Sequence, residues 1–390
     1  MKFNKHKITG GFYRQPKNDI FIIQIIEGYL KIVKCRQMLN KREFTDFEIT
    51  PLSGGLADEE LTKKAKSLLE KLKFNNNRVI LSLPRYQATL RYIKIPAKIP
   101  AEIEKIIPFQ ASKYLPYPPQ ELVTAYQVIS TDKEGYSHIN LNIVHKDVIS
   151  GYLSFLNALG IKNFSVILNS YGLCSLHNET EPSPGISMIV DIDDNYAELA
   201  VTSQKKLFFS RSFKALQGQN LENILSDEIK KTNSAYVKET GHNPVERVII
   251  FTDKNISAQK LSENISLPAE TVDYSGKVCP RLSERIKAEA VSAAGLFGLG
   301  LKELSASLNI LPQDVKDVRI SASRKKELMT LSVTALLIIL TLTAAVTKDL
   351  DNKRRYRDKL KLELDKVSKE AKALEEINTR FGILESEARY

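Results

Sequence analysis

The sequence predicts a two-lobed mixed α/β domain over its first 300 residues, followed by one transmembrane helix and a short coiled coil. Three observations lead there. Strand hairpins followed by helices recur in two successive rounds. Nineteen residues at 328–346 carry no charge, and apolar residues keep heptad spacing from Leu360 onward.

In the first round, residues 21–25 and 29–34 read as a hairpin about Glu27-Gly28. Residues 56–72, apolar at 61, 65, 68, 69 and 72, predict a helix. Strands follow at 78–83, closed by Pro84, and at 89–95. Residues 101–115 predict a helix broken or bent at Pro108, before the turn Pro116-Tyr117-Pro118-Pro119. The second round has a strand at 139–144 and a helix at 146–159 closed by Gly160. A hairpin-like pair at 186–192 and 197–202 gains a third strand at 206–213. A helix at 221–237, a strand at 247–251 and a helix at 282–294 complete it. The glycine-rich Gly295-Leu296-Phe297-Gly298-Leu299-Gly300 follows a helix rather than a strand, so it reads as a closing turn and not a dinucleotide loop.

The run 328–346 would span roughly 28 Å as a helix, the thickness of a hydrocarbon core. Its Ser and Thr residues are expected to bond their own helix carbonyls. Basic residues flank it, Arg324, Lys325 and Lys326 before and Lys353, Arg354, Arg355, Arg357, Lys359 and Lys361 after. That placement assigns much of the net charge of +11 to lipid headgroups rather than nucleic acid. Counting Lys and Arg alone would put the C-terminus in the cytoplasm. The first twenty residues show no apolar signal core to export a domain of 300 residues, so the N-terminal domain is expected in the cytoplasm and the C-terminus in the periplasm. Leu360, Leu364, Val367, Ala371, Leu374 and Phe381 share one seam, with Asn378 on it, which predicts a coiled coil pairing with another chain.

Composition, 43% hydrophobic and 26% charged without Trp, is that of an ordinary globular protein. Cys35, Cys174 and Cys279 form no paired spacing and are expected as thiols in a reducing cytosol. Five scattered histidines give no metal-ligand spacing, so no metal site is expected. Neither GxSxG, GxxxxGK[ST] nor HRD occurs, and no catalytic residue is assigned.

Two stretches carry a family resemblance. Ile80-Leu81-Ser82-Leu83-Pro84 through Leu90-Arg91-Tyr92-Ile93-Lys94-Ile95-Pro96, then Glu102 to Ile106 and Ala111 to Pro116, resemble the PilM-like, actin-like subunit of type IV pilus assembly. The likeness covers about residues 18–303. Leu308, Asn309, Ile310, Leu311 and Pro312, ahead of a basic stretch, a membrane helix and a coil, resemble the opening of the PilN family, whose tail docks on PilM. The chain thus resembles a PilM–PilN fusion, with the plan of the GspL subunit of type II secretion. It divides into an actin-like domain at 1–303, docking peptide and basic linker at 304–327, membrane helix at 328–346 and periplasmic coil at 347–390. The resembling families carry a small ferredoxin-like domain after the coil; none is read in this sequence.

An actin-like fold implies a nucleotide site of two glycine-containing hairpin turns and magnesium-binding carboxylates. With Lys31 as anchor, the family's Asp falls on Gln24 and its phosphate-loop Gly on Ile26. In the second hairpin Asp191 is kept, but Asp193 stands where a Gly would admit phosphate. The later Gly pair corresponds to Thr252-Asp253-Lys254 and is absent. The resemblance therefore implies a pseudo-ATPase without bound ATP or Mg²⁺, acting as a platform scaffold between a cytoplasmic assembly ATPase and periplasmic subunits. The alternative is a membrane-anchored actin-like ATPase.

Overall fold

The structure, a computed structural model, describes residues 19–38, 41–54, 58–182, 184–214, 221–251, 256–289 and 291–387, with side chains except at 319–327 and 384–387. The chain divides into two compact units, Met1–Gln313 and Asp314–Tyr390.

The first unit opens with β1 (Asp19–Ile26), β2 (Tyr29–Gln37) and β3 (Arg42–Pro51), an antiparallel meander. The β1–β2 turn holds only Glu27 and Gly28, and Gly28 has φ 86°, open to glycine at little cost. Helix α1 (Glu59–Lys71) starts where the Asp58 carboxylate accepts from Glu60 N at 2.9 Å. It leads into β4 (Arg78–Leu83), parallel to β1. A small sheet is inserted next: β5 (Thr89–Ile95), α2 (Pro100–Ala111), β6 (Leu122–Thr131) and β7 (Ser137–His145), in the order β5-β7-β6. Its own core gathers Ile103 and Ile107 of α2 against Ile139 and Leu141. Helix α3 (Lys146–Ala158) ends at Gly160, φ 70°, as the sequence predicts. Strand β8 (Phe164–Leu168) then pairs parallel to β4 and completes a sheet ordered β3-β2-β1-β4-β8.

The second lobe repeats this arrangement. Helix α4 (Asn169–Thr180) leads to β9 (Ser187–Ile192), β10 (Tyr196–Ser203) and β11 (Lys206–Lys214), again an antiparallel meander. Helix α5 (Leu221–Thr240) and β12 (Arg247–Phe251) follow, then α6 (Ala258–Ile265) and β13 (Ala269–Thr271). The sheet order β11-β10-β9-β12-β13 matches the first position for position, three antiparallel strands and then two parallel ones. Every residue of β1 and of β9 is buried, so these central strands are mostly apolar, and their few polar residues, Gln24 and Asp191 among them, lie inside the protein.

Short helices α7 (Tyr274–Val278), α8 (Ser283–Lys287) and α9 (Ala294–Leu301) close the unit. Two expectations fail here. The helix at 282–294 is only the short α8, and the supposed closing turn at 295–300 is the interior of α9. The reason is close packing: a Cβ on Gly298 would lie 1.8 Å from Gly172 O, and one on Gly172 would lie 2.0 Å from Gly295 O. The glycines let α9 meet α4 backbone to backbone, which outweighs their poor helix propensity. Helix α9 also packs on β1 to β4 and α4 on β9 to β11, so the pair lies between the two sheets. Pro108, expected to break or bend its helix, sits inside α2, which is not broken there.

From Asp314 on, the second unit carries α10 (Gln313–Glu387), one continuous helix. Among the described residues it is the one helix long and apolar enough to cross a membrane. Thr334, Thr341 and Thr343 donate to carbonyls of the preceding turn at 2.8–3.0 Å, the local satisfaction expected of hydroxyls in an apolar run.

Candidate functional site

The two hairpin turns, Glu27-Gly28 and Asp193-Asp194-Asn195, face one another across a cavity of about 500 Å³. Ile26, Glu27, Asp193, Asp194 and Lys214 line it with Tyr86, Tyr196 and Phe213. The Tyr86 and Tyr196 rings meet edge to face at 5.2 Å. Of the residues singled out from sequence, Ile26 and Asp193 reach the cavity, whereas Gln24 and Asp191 lie behind it in the protein. Thr252-Asp253-Lys254 lies outside the described residues.

Lys31 on β2 is 1% exposed, and an ammonium at that depth has to be matched. Its Nζ donates to the Asp193 carboxylate and, at 2.6 Å, to Ser292 O. A cation from the first lobe thus closes on a carboxylate of the second. Ser292 also donates its hydroxyl to Asp191 Oδ1 at 2.6 Å and accepts from Ala294 N at 3.2 Å. Burial pushes the Asp191 carboxyl up to about 8; the Ser292 hydrogen bond works against this and the neighbouring Asp193 charge adds to it. Near neutral pH Asp191 is therefore largely a neutral acid.

A buried polar belt runs from one lobe to the other behind these groups. Gln24 Nε2 donates to Ser82 Oγ at 3.2 Å, and Ser82 Oγ to Asn169 Oδ1 at 3.0 Å. Asn169 Nδ2 donates to Glu198 Oε2 at 2.9 Å, and the Ser170 hydroxyl donates to the other Glu198 oxygen. Tyr196 OH adds a bond to Glu198 Oε2 at 3.2 Å. Arg85 donates through Nε to Ser210 Oγ at 2.7 Å and through Nη2 to Ser210 O at 2.7 Å. Desolvation raises the Glu198 carboxyl and lowers the Arg85 guanidinium, against the hydrogen bonds and opposite charges that favour their ionised forms. Glu198 stands alone as a charge in the apolar run of β10, a signal that sequence reasoning passed over. Ser292 and Ser82 carry no such mark.

The second set of residues is the peptide after α9. Leu308, Ile310 and Leu311 are 2%, 0% and 2% exposed, and Pro312 is buried as well. Ile310 N donates to Val166 O at 2.8 Å, while Asn309 Oδ1 accepts from Val166 N at 2.8 Å. Both polar groups of one residue on β8 are thereby satisfied. The 3-10 turn Ala306–Leu308 packs on β6.

The third set lies on α10. Leu360, Leu364, Val367, Leu374 and Phe381 are 48–68% exposed and Ala371 is exposed too. The helix is continuous across all of them, so the heptad spacing does translate into one face.

Among the described residues no group of three or more His, Cys, Asp or Glu is placed to hold a metal ion. All three cysteines are buried free thiols, and burial pushes Cys35 and Cys279 up to about 12.

A PilM–PilN type IV pilus biogenesis complex matches with TM-score 0.61 and 18% identity, over 73% of this chain and 98% of that one. The cytoplasmic domain of EpsL, an inner-membrane component of the type II secretion system of Vibrio cholerae, matches with TM-score 0.41 and 11% identity, over 63% of this chain and 94% of that one. A Bacteroides thetaiotaomicron protein with an actin-like ATPase fold and unknown function matches with TM-score 0.42 and 12% identity, over 69% of this chain and 95% of that one. No curated protein matches in sequence. The two-lobed domain has the actin-like fold. The model of the type IV pilus assembly protein PilM family matches residues 37–246, more than half of the sequence, and the chain belongs to that family.

Proposed function

We propose that this protein is a non-enzymatic scaffold of an inner-membrane pilus-assembly or secretion platform, joining a cytoplasmic assembly ATPase to periplasmic subunits. The observation that carries this reading is the union, in one chain, of a PilM-family domain and a helix of spanning length and composition. The run 328–346 crosses the membrane once, with the domain in the cytoplasm and the C-terminus in the periplasm. There the seam of Leu360, Leu364, Val367, Ala371, Leu374 and Phe381 pairs with a helix of a second chain. Residues 308–312 act as the PilN-like docking peptide, bound in this chain's own domain.

No nucleotide takes part. A phosphate cradle needs backbone amides and an available cation, but the Lys31 ammonium is matched by Asp193 and Ser292 O. The Asp193 carboxylate would repel phosphate, and the Ile26 side chain projects where the family keeps a glycine. Asp191, uncharged near neutrality, is a poor magnesium ligand. These residues do not fit ATP and Mg²⁺, and the domain serves as a docking body.

Detergent-extracted protein is expected to co-purify with its platform subunits, and Leu364→Lys with Leu374→Lys should abolish that association; unchanged association would count against the scaffold. Calorimetry with Mg-ATP on the full chain should give no heat of binding. Micromolar binding would overturn the pseudo-ATPase reading.

A further inference from the structure

The large apolar side chains exposed on the actin-like domain are not scattered. Of six among its described residues, four lie in one stretch: Ile99 at 56%, Phe109 at 69%, Tyr114 at 39% and Tyr117 at 41%. Single exposed apolar residues are ordinary on a soluble surface, but a cluster marks a contact. Helix α2 already buries Ile103, Ile107 and Ala111 in the core of the small sheet, so this is a second, outward apolar face. Lys105, Phe109 and Lys113 follow one another at spacings of four and share one side, while Lys98 and Ile99 lead into the helix. All three lysines are exposed. Lys64, Lys71 and Lys94 of the same lobe pair with Glu60, Glu48 and Asp132, but among the described residues no carboxylate pairs with these three. Glu102 lies close to the same side and offsets one charge, whereas Glu104 lies near Tyr126 of β6, on the other flank. The Tyr117 ring meets His145 at 4.4 Å and closes the patch where Glu121 begins.

We infer that this face of α2 lies on the anionic headgroups of the bilayer that α10 enters, with Ile99 and Phe109 among the upper acyl carbons and the lysines on lipid phosphates. The inference rests on the single-pass reading of residues 328–346. Two placements single out lipid as the occupant. The turn Ala306–Leu308, through which the chain leaves the domain, packs on β6, and α2 packs on the same strand. The chain therefore departs for the membrane beside the strand that carries this helix. Only 14 residues, 314–327, then lead to the apolar run, about 21 Å as helix. That is about the radius of gyration of a 300-residue domain. Headgroups are thus held within reach of the domain at a high effective concentration, and a weak face suffices. The chemistry agrees, since apolar anchors bordered by lysines are the composition of a helix that lies in an interface. Each lysine near an anionic leaflet strengthens such a contact about fivefold. A domain held at two points, its tether and α2, cannot swing freely and keeps one presentation of its remaining surface to cytoplasmic partners.

The protein has no Trp, so Phe109→Trp places a single indole on this face. The full chain carrying it is put into lipid nanodiscs, which leave both sides of the bilayer accessible. One set holds phosphatidylcholine alone and the other adds phosphatidylglycerol, each with a lipid spin-labelled near its headgroup as quencher. In the anionic discs the indole emission should shift to the blue and fall about twofold or more. Adding Lys105→Gln and Lys113→Gln should weaken docking about 25-fold and return the emission to that of an exposed indole. An indole at Lys260→Trp, on α6 of the second lobe and 69% exposed in the native side chain, should stay unquenched. Reaction of the buried cysteines shows that each variant stays folded. Discs that retain the chain but leave the Phe109→Trp indole unquenched would overturn the inference alone. A chain that does not stay in the discs would overturn the single-pass reading and the inference with it. Equal quenching at both positions would overturn it, because the domain would then rest on lipid without choosing a face. So would quenching that the lysine changes leave intact, since the contact would not be with anionic headgroups. Blue emission without quenching would overturn it too, because a second copy of this chain would then cover the face.

Discussion

Replacing Lys31 by Met removes the ammonium that reaches from β2 to the Asp193 carboxylate, at a place where Lys31 is 1% and Asp193 6% exposed. The Asp193 carboxylate loses its cation, and Ser292 O loses a donor. Breaking one side of such a buried pair costs about 3–5 kcal/mol, because one charge stays buried without the other. Asp193→Asn should cost about the same for the converse reason. In the double variant both charges are gone, only hydrogen bonds and packing change, and a loss of about 1–2 kcal/mol is expected. The cycle should therefore return a coupling of more than about 3 kcal/mol between residues 162 positions apart. The three buried cysteines all lie in the actin-like domain, so their reaction with a thiol dye during a urea titration reports the unfolding of that domain and not of α10. A coupling below about 0.5 kcal/mol would refute the claim that this pair fastens the lobes together.

Asp191 gives a pH signature. Its carboxyl titrates near 8 in the fold, but near 3.8 when unfolded, so between those values the native state holds a proton that the unfolded chain has lost. Stability must then fall as pH rises, by about 1.4 kcal/mol per unit, and Asp191→Asn should flatten that slope between pH 5 and 7. An unchanged slope in the same dye assay would mean that the carboxyl is not held protonated. Gly298→Ala forces a methyl against the Gly172 carbonyl, 1.8 Å away, and should cost about 3 kcal/mol or more. Gly382→Ala, with open space around the new carbon, should leave domain stability unchanged.

Both hairpins were legible because short apolar runs flank turn residues, and Gly28 and Gly160 mark left-handed corners. Helix α4 was not. Asn169-Ser170-Tyr171-Gly172 and the later Ser, His, Asn and Thr residues interrupt any apolar stripe, yet almost the whole helix is buried, with Asn169 and Ser170 taken up by the belt around Glu198. Strand β8 is five residues long and gave too short a run to separate from its surroundings. At the cleft, Ile26 at the end of β1 and Asp193 in the second turn both line the cavity. Sequence could not show that Lys31 closes on Asp193, nor that Ser292 bonds both Lys31 and Asp191, because those partners are 101 to 261 residues apart. Apolar spacing records which face of an element is covered, but it does not record which polar group meets which across a core.

The crossing of α4 and α9 has a mechanical consequence. Side chains at an ordinary interface can change rotamer and let two bodies slide. Here the contact is made by Gly172, Gly295 and Gly298 with the carbonyls beside them, and backbone has no rotamers to exchange. The lobes are joined at a bearing rather than a sliding surface. An opening of the cleft is therefore expected to be a rotation about that contact, with the travel at the hairpin tips set by their distance from it.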